Sequence, residues 1–301
     1  MPEVITNKHG LSECWVDAAK NDPYEKGGAD YSVTGILKPA QQACLQERHT
    51  YEVDVTDQIW SILGTAVHAI LERMGGAEKG IITEQRVFKK IKLPNGKDVV
   101  LSGAIDRSEN GKIKDFKITK VWAVTHGLKE DWKYQGNIYA RLLNSIDIDV
   151  ESIEIEALLK DWSIRDLAIA YKKGDYYPQT QIEVVPIPKL PAEEVDRFVV
   201  ERIMIHEEAK QLPDWDLPEC TEEERWCRDS RYIVKKKDSE RALPKAGNFS
   251  SHADAAEFLE VRKDVDECEI VFREGVSKRC ESYCPVKHLC HQYKNKINPK
   301  F

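Results

Sequence analysis

Asp106, Asp115 and Lys117 bracket an Asn-Gly pair in the run SGAIDRSENGKIKDFKITK. Asn110-Gly111 between two strand-like runs favours a two-residue type I′ hairpin, whose central residues both take positive φ. Opposed residues then have numbers summing to 221, so Asp106 is expected to face Asp115. Two carboxylates placed directly across a hairpin repel by several tenths of a kcal/mol, up to about 1, unless something positive lies between them. Strand alternation puts Lys117 on the face of Asp115. Two acids and an ammonium suit Mg²⁺ or Mn²⁺, hard cations that take oxygen ligands and substrate phosphate. Such an ion acidifies bound water and polarises a phosphoryl oxygen, while the lysine stabilises developing negative charge. That is the chemistry of phosphodiester hydrolysis. A chance charged dyad on a solvated strand face is the competing explanation.

A second chemistry lies in RCESYCPVKHLC, where Cys280, Cys284 and Cys290 fall within eleven residues. The other five cysteines are scattered. In a reducing compartment, clustered cysteines favour a soft-metal site over disulfides, and buried structural thiols are the alternative. A fourth ligand is needed.

These groups require elements to hold them. DQIWSILGTAVHAILERM, from Asp57 to Met74, has helical periodicity. Ile59, Ile62, Leu63, Val67, Ile70, Leu71 and Met74 share one stripe, and His68 projects from an opposite face of small and polar residues. Strands are expected over 81–91, 98–107 and 112–120, followed by a helix over 127–144 and a strand over 152–162. A strand near 181–188 and a helix over 192–210 lead to the Pro-rich LPDWDLPEC, the expected domain boundary. Beyond it, a small strand, helix, strand unit precedes the cysteines. The order predicts an α/β fold with a mixed central sheet flanked by helices. The division expected is a lead-in at 1–30, a core at 31–212 and a C-terminal small α/β extension at 213–301.

His68 in GTAVHAILE, Asp106 in SGAID, Asp115 and Lys117 in DFK, and Gln135 and Tyr139 in YQGNIYA follow one another in a particular order and spacing. In this the chain resembles the PD-(D/E)xK nucleases, and most closely their RecB-type branch, over roughly residues 57–145. The third motif has Asp where many relatives have Glu. The resemblance implies a restriction-endonuclease-like core in which Asp106 and Asp115 bind the catalytic metal and His68 completes or adjusts its sphere. Glu84 would assist as another carboxylate, and Lys117 would position or activate the attacking water. Gln135 and Tyr139, four apart on a helix, would line the site and contact DNA or support the lysine.

Cluster-bearing members of that branch hold iron–sulfur with one cysteine before the histidine motif and three near the C-terminus. Cys44 suits that pattern. Cys220 is the rival, by likeness to phage-encoded members. The x3 spacing from Cys280 to Cys284 departs from the usual two residues. A [4Fe–4S] cluster is favoured over structural Zn²⁺, as a staple for the C-terminal segment.

Composition sets the outer bounds. No apolar run approaches the roughly 20 residues needed to span a bilayer. The opening MPEVITNKHG lacks the pattern of a secretory signal, so a cytoplasmic protein is expected, in a bacterium or a phage-infected host. The net charge of −7 argues against indiscriminate nucleic-acid binding. Yet Arg86 to Lys133 carries twelve Lys or Arg against six Asp or Glu, a basic strip suited to phosphates. The resulting expectation is a metal-dependent DNA nuclease, an exonuclease of recombination, repair or phage DNA metabolism. DNA ends would be its partner, together with a possible recombination or replication protein. The competing classes are a catalytically silent nucleic-acid-binding module of the same fold and an iron–sulfur redox protein.

Overall fold

The alternation of apolar and polar residues from Asp98 to Glu109, and its Asn-Gly continuation, places the centre of a sheet. The structure, a computed structural model, describes residues 3–21, 27–74, 81–243 and 248–297. The chain divides into two compact units, Met1–Pro213 and Asp214–Phe301.

The first unit opens with β1 (Glu3–Thr6), α1 (Glu13–Lys20), β2 (Tyr31–Ser32), α2 (Val33–Ile36), α3 (Ala40–Arg48) and β3 (Tyr51–Asp54). The long helix α4 (Val55–Glu72) follows, then β4 (Ile82–Lys92), β5 (Asp98–Glu109) and β6 (Lys112–Thr119). The short α5 (Trp122–Thr125), α6 (Glu130–Asn144), β7 (Ser152–Leu159), α7 (Ile164–Lys173), β8 (Ile182–Ile187) and α8 (Ala192–Gln211) complete it. The central sheet is mixed and runs β2-β5-β6-β7-β8, with β4 on the other edge of β5. β6 and β7 are parallel, whereas β4, β5 and β6 form an antiparallel meander.

The residues 1–30 expected as a lead-in carry regular structure instead. β1 pairs in parallel with β3, and the Asp54 carboxylate accepts hydrogen bonds from Lys8 N at 2.8 Å, Thr6 Oγ1 at 3.1 Å and Thr56 N at 3.1 Å. These donors, the Lys8 amide foremost, hold the Asp54 carboxyl well below the usual range. Asp54 is thus the N-cap of α4 and the clamp that fixes where that helix starts. Residues 1–2 and 22–26 of the same stretch lie outside the described residues.

The main core lies against the sheet under α6 and α8. Ile105, Ile113, Ile153 and Ile155 meet Ile138, Leu142, Leu143, Val199 and Ile203 there. Each such aliphatic chain contributes about 1.5–3 kcal/mol when fully buried. Asn137 joins α6 to the end of β8, its amide donating to Pro188 O and accepting from Leu190 N. Asp196 on α8 receives Arg141 from α6 at 2.6 Å and Lys89 from β4 at 3.2 Å. Close approach of α6 to the sheet needs two glycines. A Cβ on Gly103 would stand 2.7 Å from Leu142 Cδ1 and 2.8 Å from Tyr139 Cε1, and one on Gly136 would stand 2.7 Å from Ile153 Cγ2.

In the second unit, β9 (Arg231–Lys236) is flanked by β10 (Asn248–Phe249) and β11 (Cys268–Arg273). Helix α9 (His252–Glu260) packs Ala255 and Phe258 onto Val234, and α10 (Lys278–Ser282) carries Cys280. No helix among the described residues is long and apolar enough to cross a membrane.

The Gly103 contact gives a direct check on this packing. Gly103→Ala is expected to overpack the α6 interface and destabilise the protein by about 1–3 kcal/mol. Chemical denaturation of both proteins measures this, and an unchanged midpoint would contradict the close approach.

Candidate metal and carboxylate site

The hairpin forms in the register that the Asn-Gly pair implies. Asn110 and Gly111 take φ of 49° and 72°, and the pairs Glu109 with Lys112, Ser108 with Ile113 and Arg107 with Lys114 all sum to 221. The ladder then stops, so the backbone pair of Asp106 with Asp115 is not made. The Asp106 carboxylate instead reaches between the strands and accepts the Phe116 amide at 2.8 Å. The strands part there because a side chain, longer than a carbonyl, has taken the place of a ladder hydrogen bond.

Three donor groups meet at this gap. His68, on α4, sets Nδ1 at 2.9 Å from Glu84 Oε1 and 3.7 Å from Asp106 Oδ1, and its Nε2 lies 3.2 Å from Phe116 O. His68, Glu84 and Asp106 each offer a ligand atom within 4.8 Å of the others. Glu84, opposite Asp106 by the β4–β5 register, has a left-handed backbone with φ of 47°. A non-glycine residue in that region costs of order 1–3 kcal/mol, which the surrounding sheet must absorb.

Asp115 belongs to the adjoining half of the cluster. It is 1% exposed, and its Oδ2 meets Lys117 Nζ at 2.7 Å and is otherwise without a donor. Gln135 Nε2 donates to Asp115 Oδ1 at 3.1 Å and to Tyr139 OH at 2.9 Å. All seven residues singled out from the sequence therefore lie in one connected cluster. Of the four expected metal residues, His68, Glu84 and Asp106 form the metal-sized trio, whereas Asp115 is turned towards Lys117 and Gln135.

The electrostatics follow from burial of like charges. Burial, and then the Asp115 charge, push the Asp106 carboxyl up to about 7. The hydrogen bond to Glu84 raises His68 although burial opposes it. Burial also works against the Lys117 charge, but Asp115 and Asp106 outweigh it and hold the ammonium above its ordinary range. Beside the cluster is a cleft of about 150 Å³, walled by Val67, Leu71, Phe116, Ile118, Leu158 and Ile182 and touched by His68, Lys117 and Glu156. Glu156 was not singled out beforehand. The alternation in SIEIEALL was the signal that places Glu154 and Glu156 on one side of a strand.

Two expectations change. The helix α4 brings His68 to the sheet together with Val67 and Leu71 of its apolar stripe, and leaves Trp60, Leu63 and Ile70 exposed. The stripe is thus split, and His68 does not stand on a face opposite to it. The basic strip is also largely neutralised. Lys89, Lys90, Lys97, Arg107, Lys112, Lys114, Lys117 and Lys133 all pair with carboxylates, several of them from beyond the strip: Glu154, Glu156, Asp196 and Glu207.

In the second unit, Cys220, Cys280, Cys284 and Cys290 are electrostatic neighbours. Burial first, and then the Cys284 and Cys290 charges, push the Cys280 thiol up to about 11; burial, then Glu224, and then the other three thiolates raise the Cys220 thiol. Gln292 clamps Cys220 through both backbone groups, accepting from its N–H and donating to its carbonyl at 3.0 Å each. Cys44 is buried in α3 of the first unit. Among the described residues no three of the sulfurs lie within 4.8 Å of one another.

No protein-family model matches the chain, and no curated protein matches it. Among solved structures, one titled "Crystal structure of SSO0001" is similar at 16% identity and a TM-score of 0.43, covering 64% of this chain and 84% of that one.

The raised Asp106 carboxyl has a consequence for stability. An acid that ionises later in the folded state than in the unfolded one destabilises the fold as pH rises between the two values. In metal-free protein, Asp106→Asn is expected to remove that loss, so its advantage over wild type grows from about pH 4 to about pH 7. Thermal unfolding in EDTA across this range checks it; a constant difference between the two proteins would exclude the buried-carboxylate account.

Proposed function

We propose that the chain is a divalent-metal-dependent DNA nuclease of RecB type, with a restriction-endonuclease-like core in the first unit. One observation carries the reading: His68, Glu84, Asp106, Asp115, Lys117, Gln135 and Tyr139, spread over 72 residues, join in a single cluster where β5 and β6 part. Bringing three acids, a histidine and a lysine together with Asp106 and Asp115 buried is costly without a further positive charge, because each unpaired carboxylate is expensive to desolvate. The donor set fits a hard cation. Two carboxylates and an imidazole face one another, and Asp115 Oδ2 keeps a lone pair that no hydrogen bond uses.

His68, Glu84 and Asp106 would hold Mg²⁺ or Mn²⁺, with Asp115 next to them. When bound, such an ion supplies Lewis acidity at the phosphoryl group and a more acidic water. The remaining chemistry falls to the chain. Lys117, fixed by Asp115, offers an ammonium to the developing phosphorane charge or to the attacking water. Gln135 holds Asp115 in place and is itself held by Tyr139, so this pair positions the lysine through the acid. Glu84 orients the imidazole of His68 from its Nδ1 side. The apolar wall of the adjoining cleft lowers the local dielectric and strengthens each of these interactions.

Four of the six cysteines of the second unit, Cys220, Cys280, Cys284 and Cys290, suit a soft-metal group, since thiols that repel one another as thiolates gain most from a neutralising centre. Four thiolates suit either [4Fe–4S], the group favoured by the family resemblance, or Zn²⁺. Cys220 rather than Cys44 would be the fourth ligand, because Cys280, Cys284 and Cys290 all act electrostatically on Cys220. The group's role would be structural, tying residues near 220 to the C-terminal turns.

The decisive experiment is digestion of end-labelled linear and closed circular DNA with Mn²⁺ or Mg²⁺. Wild type is expected to degrade the linear form, and Lys117→Ala and Asp115→Asn to lose about 100-fold or more in rate, with unchanged circular dichroism. Undiminished cleavage by both variants would refute the assignment. Separately, anaerobically prepared wild type is expected to absorb near 400 nm and Cys220→Ala to lose that band, whereas Cys44→Ala keeps it; a colourless protein with one zinc per chain would decide for Zn²⁺.

A further inference from the structure

Most lysines of the central sheet are matched by carboxylates, which makes the unmatched ones informative. The parallel strands β6 and β7 end side by side, with Lys120 following one and Lys160 the other; the Lys160 amide donates to Thr119 O at 2.9 Å. The Lys160 ammonium lies 3.7 Å from the centre of the Trp60 ring on α4. Burial and the nearby Lys120 charge both lower its pKa, so two cations are held close together. The adjacent Asp161 spends an oxygen on the Val121 amide at 2.7 Å. Lys129 sits over the Trp132 ring at 4.7 Å; burial lowers its pKa, Asp131 partly offsets this, and the Lys117 charge adds to the lowering, which links this edge to the carboxylate site. Among the described residues, Lys120, Lys129 and Lys160 make no ion pair.

Two large rings stand open among these cations. Trp122, two residues beyond Lys120, is 57% exposed and stacks on His126 with ring centres 4.9 Å apart. Trp60 is 52% exposed. Exposed indoles interleaved with unpaired lysines are the pattern that stacks bases and pairs phosphates along a single strand. A base inside a duplex has both faces covered by its neighbours, so an indole can stack only on an unpaired base or a terminal pair.

We propose that Trp122 and Trp60, with Lys120, Lys129 and Lys160, form a platform for an unpaired strand of DNA at the C-terminal ends of β6 and β7. The strand leads towards Lys117, and its bases lie on the indoles while the lysines take its phosphates. This rests on the nuclease reading and deepens it, by making single-stranded DNA the substrate that the site receives.

Binding without cleavage tests the platform independently of catalysis. Fluorescence anisotropy with labelled oligo-dT, full-length protein and EDTA is expected to give an affinity that falls about 5- to 100-fold in Trp122→Ala and in Trp60→Ala, as for removal of one stacking partner. Trp122→Phe, which keeps a ring, is expected to restore most of it. Lys160→Ala is expected to flatten the salt dependence by about 0.7 in the slope of log K against log salt. Blunt duplex of equal length is expected to bind more weakly and to be less affected by either alanine. Wild-type affinity for oligo-dT in both tryptophan variants, or equal losses on blunt duplex, would overturn the platform, even if Mn²⁺-dependent cleavage is robust. Loss of oligo-dT binding in the variants of a protein that cuts no DNA would support the platform and remove the nuclease reading instead.

Discussion

One hydrogen bond organises the first unit: the Phe116 amide given to the Asp106 carboxylate. Three residue pairs from the turn, the antiparallel ladder of β5 and β6 gives way, and the amide that would have met a carbonyl meets a charged side chain. The exchange satisfies the backbone donor while opening the sheet beside it. Everything distinctive about the site follows from that opening. His68 can reach Asp106 and the Phe116 carbonyl from α4, Glu84 can approach from β4, and Asp115 can turn towards Lys117 and Gln135 on the other side. The free energy needed to keep these groups together comes from the aliphatic core under α6 and α8, not from the cluster itself.

The turn and the acids around it were legible in the sequence because a type I′ hairpin leaves no freedom of register, and Gln135 with Tyr139 because one helical turn separates them. Other features were not. That the ladder ends before Asp106 depends on which of two acceptors the Phe116 amide chooses, and no periodicity records it. The strand β1 is held by parallel backbone bonds to β3, and only four residues announce it. The basic strip was misjudged because counting charge along a segment misses partners that the fold supplies from elsewhere: Lys89 and Lys97 find theirs on α8, about a hundred residues later. The apolar stripe of α4 misled because it is not buried as one face: Val67 and Leu71 line the cleft beside His68, while Leu63 and Ile70 stay exposed.

The second unit uses a different means of cohesion. One apolar cluster centres on Val234, Ala255 and Cys268, and Leu217, Ile233, Val286 and Tyr293 are buried as well. Polar clamps supplement it: Gln292 on the backbone of Cys220, Arg225 on the Cys220 carbonyl and on Ser277, and Arg279 on the Glu224 carbonyl. Cys220, Cys280, Cys284 and Cys290 act on one another electrostatically in this unit, and the soft-metal group proposed for them would add a staple to a short stretch of chain.

The backbone of Glu84 bears on how this chain tolerates change. Glycine would adopt the same left-handed conformation without strain, so endurance to heat selected by itself would drift towards glycine at position 84. That drift would erase the carboxylate on which the His68 imidazole rests. At this position backbone ease and the support of His68 therefore call for different residues.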